Sequence, residues 1–183
     1  MTEELEVTSH SAGQDTIARR PLRIGVIGSA SADPVVWATA HAVGRALGRA
    51  EALLVCGGGG GVMAAAAEGA CREGGEVLGI LPGDDPGAAA DGVSIPVATG
   101  LGEARNYLVV RAAEAVIAVA GGWGTVNEAA HCMKIDRPLV GVRDALGERF
   151  EIERFDDPAA AVARALELAT ERRSDPRPRH VAR

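Results

Sequence analysis

Aromatic side chains are scarce, at 3% of the 183 residues. That excludes a core built on stacked rings. The interior must come from Ala, Val, Leu and Ile, as is common where helices lie closely on a parallel sheet. Lysine is scarcer still: Lys134 stands alone. A pyridoxal phosphate enzyme needs a Schiff-base lysine, and Lys134 falls late in a predicted helix, with no pattern of pyridoxal-binding partners around it. Cys56, Cys71 and Cys132 are odd in number, far apart and without a CxxC pair. They form neither a disulfide framework nor a zinc site, and are expected to be small buried hydrophobes in a reducing compartment. No metal site is expected. No apolar run approaches the ~20 residues of a membrane span. Residues 1–20 are polar, with Glu3, Glu4 and Glu6 and no apolar signal-peptide core. The expectation is a cytoplasmic protein without a membrane partner. An excess of basic charge is missing too, since the net charge is −6. Coating nucleic acid requires a basic face, so no nucleic-acid partner is expected.

What is present is an apolar fraction of 47%, enough for the core of one domain. The composition divides the chain into a disordered tail over 1–20, a domain over 21–170 and a charged, proline-broken tail over 171–183. Unbroken apolar runs predict strands at Leu22–Gly28, Ala52–Cys56, Glu76–Leu81, Ser94–Ala98, Ala115–Ala120 and Pro138–Val142. Helical patterns follow at Pro34–Arg49, Val62–Gly74, Gly102–Ala113, Thr125–Lys134 and Pro158–Thr170. Asp33 and Pro34 give the first helix a cap and a first-turn proline. This alternation predicts an α/β fold: a Rossmann-like, doubly wound, mostly parallel sheet with helices on both faces. Right-handed crossovers set the strand-to-helix loops along one edge, where such sheets bind ligands. The segment 81–92 reads as a long loop and a candidate lid.

Two of those loops are rich in glycine. CGGGGGVM runs through Gly57, Gly58, Gly59, Gly60 and Gly61 to Met63, and AGGWGT holds Gly121, Gly122, Gly124 and Thr125. Both lead into helices, whose first N–H groups and positive dipole end suit an anion. Glycine allows close backbone approach. Gly28 and Ser29 form a third small-residue turn on the same edge. Neither glycine loop is a P-loop, and neither is a clean GxGxxG fingerprint.

Two residues carry alternative readings. Thr125 and Glu128 form a Thr-x-x-Glu capping-box pattern at a helix start. Alternatively, Glu128 sits one turn into the helix and faces whatever the glycine loop holds. Arg105, in a first turn where the dipole disfavours a cation, is either a solvated surface residue or a guanidinium reaching an anion or carboxylate.

AGGWGTVNE resembles the PGGxGTxxE signature of the LOG proteins, the phosphoribohydrolases often misnamed lysine decarboxylases. CGGGGGVM resembles their GGGxxGLM loop, and GEARN lies where the family places its arginine motif. The resemblance spans nearly all of Leu22 to Val142. It departs at Ala120, in place of the signature proline, and at Asn106, in place of the usual lysine. GLGEARN followed by GGWGT looks closer to the sister subgroup that includes a molybdenum-cofactor carrier. The resemblance implies a Rossmann-like fold, a homodimer or homotetramer, and a site for a nucleoside monophosphate.

It makes Arg105 and Glu128 the catalytic candidates for cleaving the N-glycosidic bond of an N6-substituted purine nucleoside 5′-monophosphate. Gly121, Gly122, Gly124 and Thr125 would then hold the phosphate, Gly57–Gly61 would lie near the ribose, and Ser29 would line the base side. The alternative is a non-catalytic binder or carrier of a phosphorylated heterocycle such as molybdenum cofactor. Neither needs a resident cofactor: nucleoside monophosphate, phosphate or molybdenum cofactor would be the ligand. Val109, Val110 and Ala113 form an apolar helix face that could serve oligomerisation.

Overall fold

The computed structural model describes residues 20–175. The two expected tails lie outside the described residues, except at residue 20 and residues 171–175. Seven parallel strands form one sheet: β1 (Arg23–Ile27), β2 (Leu53–Cys56), β3 (Val77–Leu81), β4 (Ile95–Ala98), β5 (Ala115–Ala118), β6 (Leu139–Val142) and β7 (Glu153–Phe155). Their spatial order is β4-β3-β2-β1-β5-β6-β7. The sheet is thus Rossmann-like and doubly wound, and it is parallel throughout. The winding reverses between β1 and β5, which pair from Ile24↔Ala115 to Ile27↔Ala118. The loops leaving these two neighbours turn to opposite faces, and a crevice opens between them.

The helices are α1 (Pro34–Arg49), α2 (Val62–Arg72), α3 (Asn106–Ala112), α4 (Trp123–Lys134) and α5 (Pro158–Ser174). On one face α1, α2 and α5 cover Ile24, Val26, Leu54 and Ile117. On the other, α3 and α4 cover Ile27, Val55, Val116 and Ala118. Alternate residues of each strand supply the two layers. Small residues set the spacing of α1 and α2. A Cβ on Gly44 would run into the backbone of Ala66, and one on Gly69 into the carbonyl of His41. These two glycines therefore permit the helix backbones of α1 and α2 to lie almost in contact. As expected, Asp33 caps α1, its Oδ1 accepting from the N–H groups of Val35 and Val36 at 2.8 Å each.

Several expectations need correction. The last helix does not stop at Thr170 but runs to Ser174, so residues 171–174 do not belong to a tail. The added turn carries Arg173, whose Nε and Nη2 donate to the carboxylate of Glu114, at 2.9 and 2.6 Å. Nη1 and Nη2 donate to the carbonyls of Arg20 and Pro21. Val109, Val110 and Ala113 are buried in the core beneath the sheet, so they offer no oligomer face. The exposed apolar residues of α3 are Tyr107 and Leu108. Cys71 is exposed, whereas Cys56 and Cys132 are buried. No helix among the described residues is long and apolar enough to cross a membrane.

Candidate functional site

The crevice between β1 and β5 holds a cavity of about 370 Å³. Val26, Ile27, Gly28 and Ser29 contribute the β1 side, Met63 comes from α2, and Pro82 comes from the loop after β3. Glu103, Arg105 and Asn106 enter from the segment before α3, and Gly122, Trp123, Gly124, Thr125 and Glu128 from the start of α4. Eight of the residues singled out from sequence thus meet here: Gly28, Ser29, Met63, Arg105, Gly122, Gly124, Thr125 and Glu128.

Gly57–Gly61 and Gly121 are not in the cavity wall, but they shape it. Gly61 has φ +60 and starts α2. A Cβ there would strike the backbone of Ser29, Ala30 and Ser31, and the Val62 N–H donates to the Ser29 carbonyl at 3.0 Å. The glycine loop thereby braces the turn after β1. Buried Gly57 lies under the guanidinium of Arg105. Gly58 has φ +71, and its carbonyl accepts from Ala90 N–H at 2.9 Å, which ties the 81–92 loop to the site. A side chain on Gly121 would collide with Thr125.

The capping-box reading fails. α4 begins at Trp123, two residues before the expected start, with Gly122 at its cap position and no side-chain cap bond. Thr125 and Glu128 therefore lie inside the helix, and Glu128 cannot reach back to an N-cap amide. The N–H groups of Trp123, Gly124 and Thr125 have no side-chain acceptor, and a Cβ at Gly122 or Gly124 would meet open space. That is an uncapped helix N-terminus facing a cavity, the usual setting for an anion.

Arg105 ends a 3₁₀ turn (Gly102–Arg105) just before α3. It is not the solvated surface residue: its side chain is 13% exposed and that of Glu128 8%, with Arg105 Nη1 standing 3.8 Å from Glu128 Oε1. The pair is loose and its hydrogen-bonding capacity is not used up. Arg105 Nε and Thr125 Oγ1 are both buried without a hydrogen-bond partner, and such orphans are rare and costly. Burial pushes the Glu128 carboxyl up to about 7, against the pull of Arg105. Burial also pushes the thiols of Cys56 and Cys132 up, to about 11 and about 12, so neither is a thiolate nucleophile. Lys134 closes α4 at the end far from the cavity, where it cannot serve Schiff-base chemistry on a ligand held there.

Sequence reasoning missed Glu103, Asn106 and Trp123 as wall residues. Asn106 is buried, and its Nδ2 donates to Asn127 Oδ1 at 3.4 Å. Trp123, 81% exposed, stands at the mouth. For Asn106 the signal in the sequence was its departure from the LOG motif, and for Trp123 its place inside the second glycine loop.

The family model of the SLOG cluster4 family matches residues 21–170. The chain belongs to that family. It is 40% identical over 122 residues to an uncharacterized protein of Archaeoglobus fulgidus, covering 67% of this chain and 80% of that one. Among solved structures, it is similar to the molybdenum cofactor binding protein of Rippkaea orientalis, with a TM-score of 0.75 and 31% identity over 81% of this chain and 97% of that one. It is also similar to the molybdenum cofactor carrier protein of Chlamydomonas reinhardtii, with a TM-score of 0.73 and 30% identity over 82% and 99%. The SLOG family member described here thus shares its fold with proteins that bind or carry molybdenum cofactor, over nearly their whole length.

Proposed function

We propose that the crevice binds a small phosphorylated heterocycle and that this chain is a carrier of the molybdenum-cofactor type. The observation behind this reading is Arg105, a half-buried guanidinium whose buried Nε has no partner, in the same cavity as the uncapped start of α4. A phosphate there gains helix amides and a charge-assisted partner together. The cavity lies within the usual size range of small-ligand sites, ~300–1,000 Å³. The open space at Gly122 and Gly124 lets an anion reach the backbone. The molybdenum cofactor bound or carried by two similar proteins supports the same ligand class. Cargo is held and released with no bond broken and no resident cofactor. Operation in the cytoplasm as a homodimer or homotetramer, with no nucleic-acid or membrane partner, belongs to this reading.

A second reading has one observation in its favour. Glu128 lines the cavity as a carboxyl pushed up to about 7, where an acid or base works well at neutral pH. In phosphoribohydrolysis of a purine nucleoside 5′-monophosphate, Glu128 would take a proton from water as it adds to the sugar C1′. The N-glycosidic electron pair would leave with the base, which takes a proton from solvent while Glu128 returns its own to solvent, giving free base and ribose 5-phosphate. Glu128 would also offset the oxocarbenium-like charge.

Two measurements on the purified protein test these readings. Calorimetry with molybdenum cofactor should give binding that Gly122→Val weakens at least tenfold, since that side chain projects into open space at the cavity mouth and leaves the fold intact. Incubation with AMP and an N6-substituted AMP should release no free base. Base release abolished by Glu128→Gln would replace the carrier by the hydrolase.

A further inference from the structure

A second cavity, of about 320 Å³, adjoins the first and shares Glu103, Asn106, Trp123 and Gly124 with it. Its remaining wall includes Asn127 and His131. The arrangement follows from the periodicity of α4. Thr125, Glu128 and Cys132 recur on the buried face of the helix, with Thr125 and Glu128 in the first cavity. Gly124, Asn127 and His131 recur on the next face and line the second. The two cavities are therefore adjacent sides of one helix, and they meet at its uncapped N-terminus.

That junction bears on ligand class. A phosphate seated on the amides of Trp123, Gly124 and Thr125 would stand at the border of both cavities. A monophosphate uses one of them. A ligand with a second group linked through phosphate can place its first group beside Arg105 and its second beside Asn127 and His131.

The second cavity is furnished for such a group. The Tyr107 ring packs edge-on against His131 with centroids 5.1 Å apart, which orients the imidazole. The Asn106–Asn127 bond fixes both amides and leaves Asn127 Nδ2 without a partner among the described residues. Trp123 presents an indole shared by both cavities, with the Arg149 guanidinium 5.5 Å from its ring centroid. Indole, imidazole and amide together suit a heterocycle with hydrogen-bonding edges. Of the charged side chains near the junction, Glu103 lines both cavities, and Arg149 stands over the Trp123 ring without lining either.

We infer that the second cavity is a subsite for the distal half of a diphosphate-bridged, dinucleotide-type ligand whose proximal half occupies the Arg105 cavity. This rests on the first cavity binding a phosphorylated heterocycle. Calorimetry with AMP and with P1,P2-di(adenosine-5′) diphosphate tests it, on the wild type and on Asn127→Ala/His131→Ala, with the melting temperature of each as a control for folding. Asn127 is exposed and His131 half-buried, so the double variant should stay folded. Wild type should bind the dinucleotide at least tenfold more tightly than AMP. The double variant should lose that advantage and keep its affinity for AMP. Equal affinity of wild type for the two ligands, or an advantage that survives in the double variant, overturns the subsite while leaving the first cavity's reading intact. Failure of the dinucleotide to bind overturns the subsite, while the first cavity's reading stands or falls on the molybdenum cofactor titration.

Discussion

The guanidinium of Arg105 occupies the space that a side chain on Gly57 would need. A glycine at the end of β2 thus sets the position of a cation arriving from the start of α3. Gly57 is not in a left-handed conformation, so its role is steric. Gly57→Ala should displace Arg105 from the cavity with little cost to the backbone. We expect phosphate or AMP affinity to fall about tenfold, equivalent to ~1.4 kcal/mol, while the melting temperature changes little. Calorimetry beside a thermal melt reads both. Unchanged affinity in a folded Gly57→Ala would show that the guanidinium is not held by this contact.

The opposite edge of the sheet carries a second ion cluster with a different role. Glu114 is 3% exposed, accepts from the Arg23 N–H at 2.9 Å and is held by Arg173. Burial pushes this carboxyl up, but the bonds from Arg173 and Arg23 outweigh it and hold the pKa below the usual value. The contribution of this carboxylate is therefore present above the ordinary carboxylate range and is lost as pH falls. Arg173→Ala should destabilise the protein by about 2–3 kcal/mol at neutral pH and should flatten its acid lability. Urea titrations at pH 7 and pH 4 check both parts. Equal loss at the two pH values would mean that Arg173 acts by packing alone.

Association, if it uses α3, must use its outer face. Tyr107 and Leu108 are 39% and 37% exposed, whereas Val109 and Val110 are fully buried. We expect a dimer or tetramer by light scattering at micromolar concentration, and a monomer for Leu108→Asp. An unchanged mass for that variant would remove α3 from the interface.

Much of the fold could be read from sequence because parallel strands are unbroken apolar runs, and six of the seven were found that way, among them the edge strand β4, whose Ile95 and Val97 are exposed. β7 escaped because it is three residues long at an open edge, with Glu153 and Arg154 exposed. The cavity wall was legible where the sequence is locally unusual, as with Gly122, Gly124, Arg105 and Glu128. It was illegible where the local pattern pointed elsewhere. Thr125 and Glu128 have capping-box spacing, yet Gly122 starts α4 earlier because nothing in Trp123 or Gly124 forbids a helical turn. Helical periodicity marks Val109, Val110 and Ala113 as apolar, but not whether sheet or partner covers them.

Glu128 gives a pH dependence of opposite sign to Glu114. Its folded pKa is raised by burial from 4.5 to about 7, so between those values the folded state binds more proton than the unfolded chain. Stability should therefore fall as pH rises through that window and level off above it. A tenfold difference in proton affinity between the folded and unfolded chain corresponds to ~1.4 kcal/mol, and the contrast across the window should be on the order of 1–3 kcal/mol. Glu128→Gln has no proton to lose, so its stability should not fall with this group, and its advantage over wild type should grow from pH 5 to pH 8. Bound phosphate changes the expectation in a defined way. A second negative charge beside Arg105 raises the cost of ionising Glu128, so from pH 6 to pH 8 the affinity of wild type should fall relative to that of Glu128→Gln. Ligand ionisation contributes equally to both proteins and cancels in the comparison. Parallel affinity profiles for wild type and Glu128→Gln over this range would mean that the carboxyl does not sense the ligand.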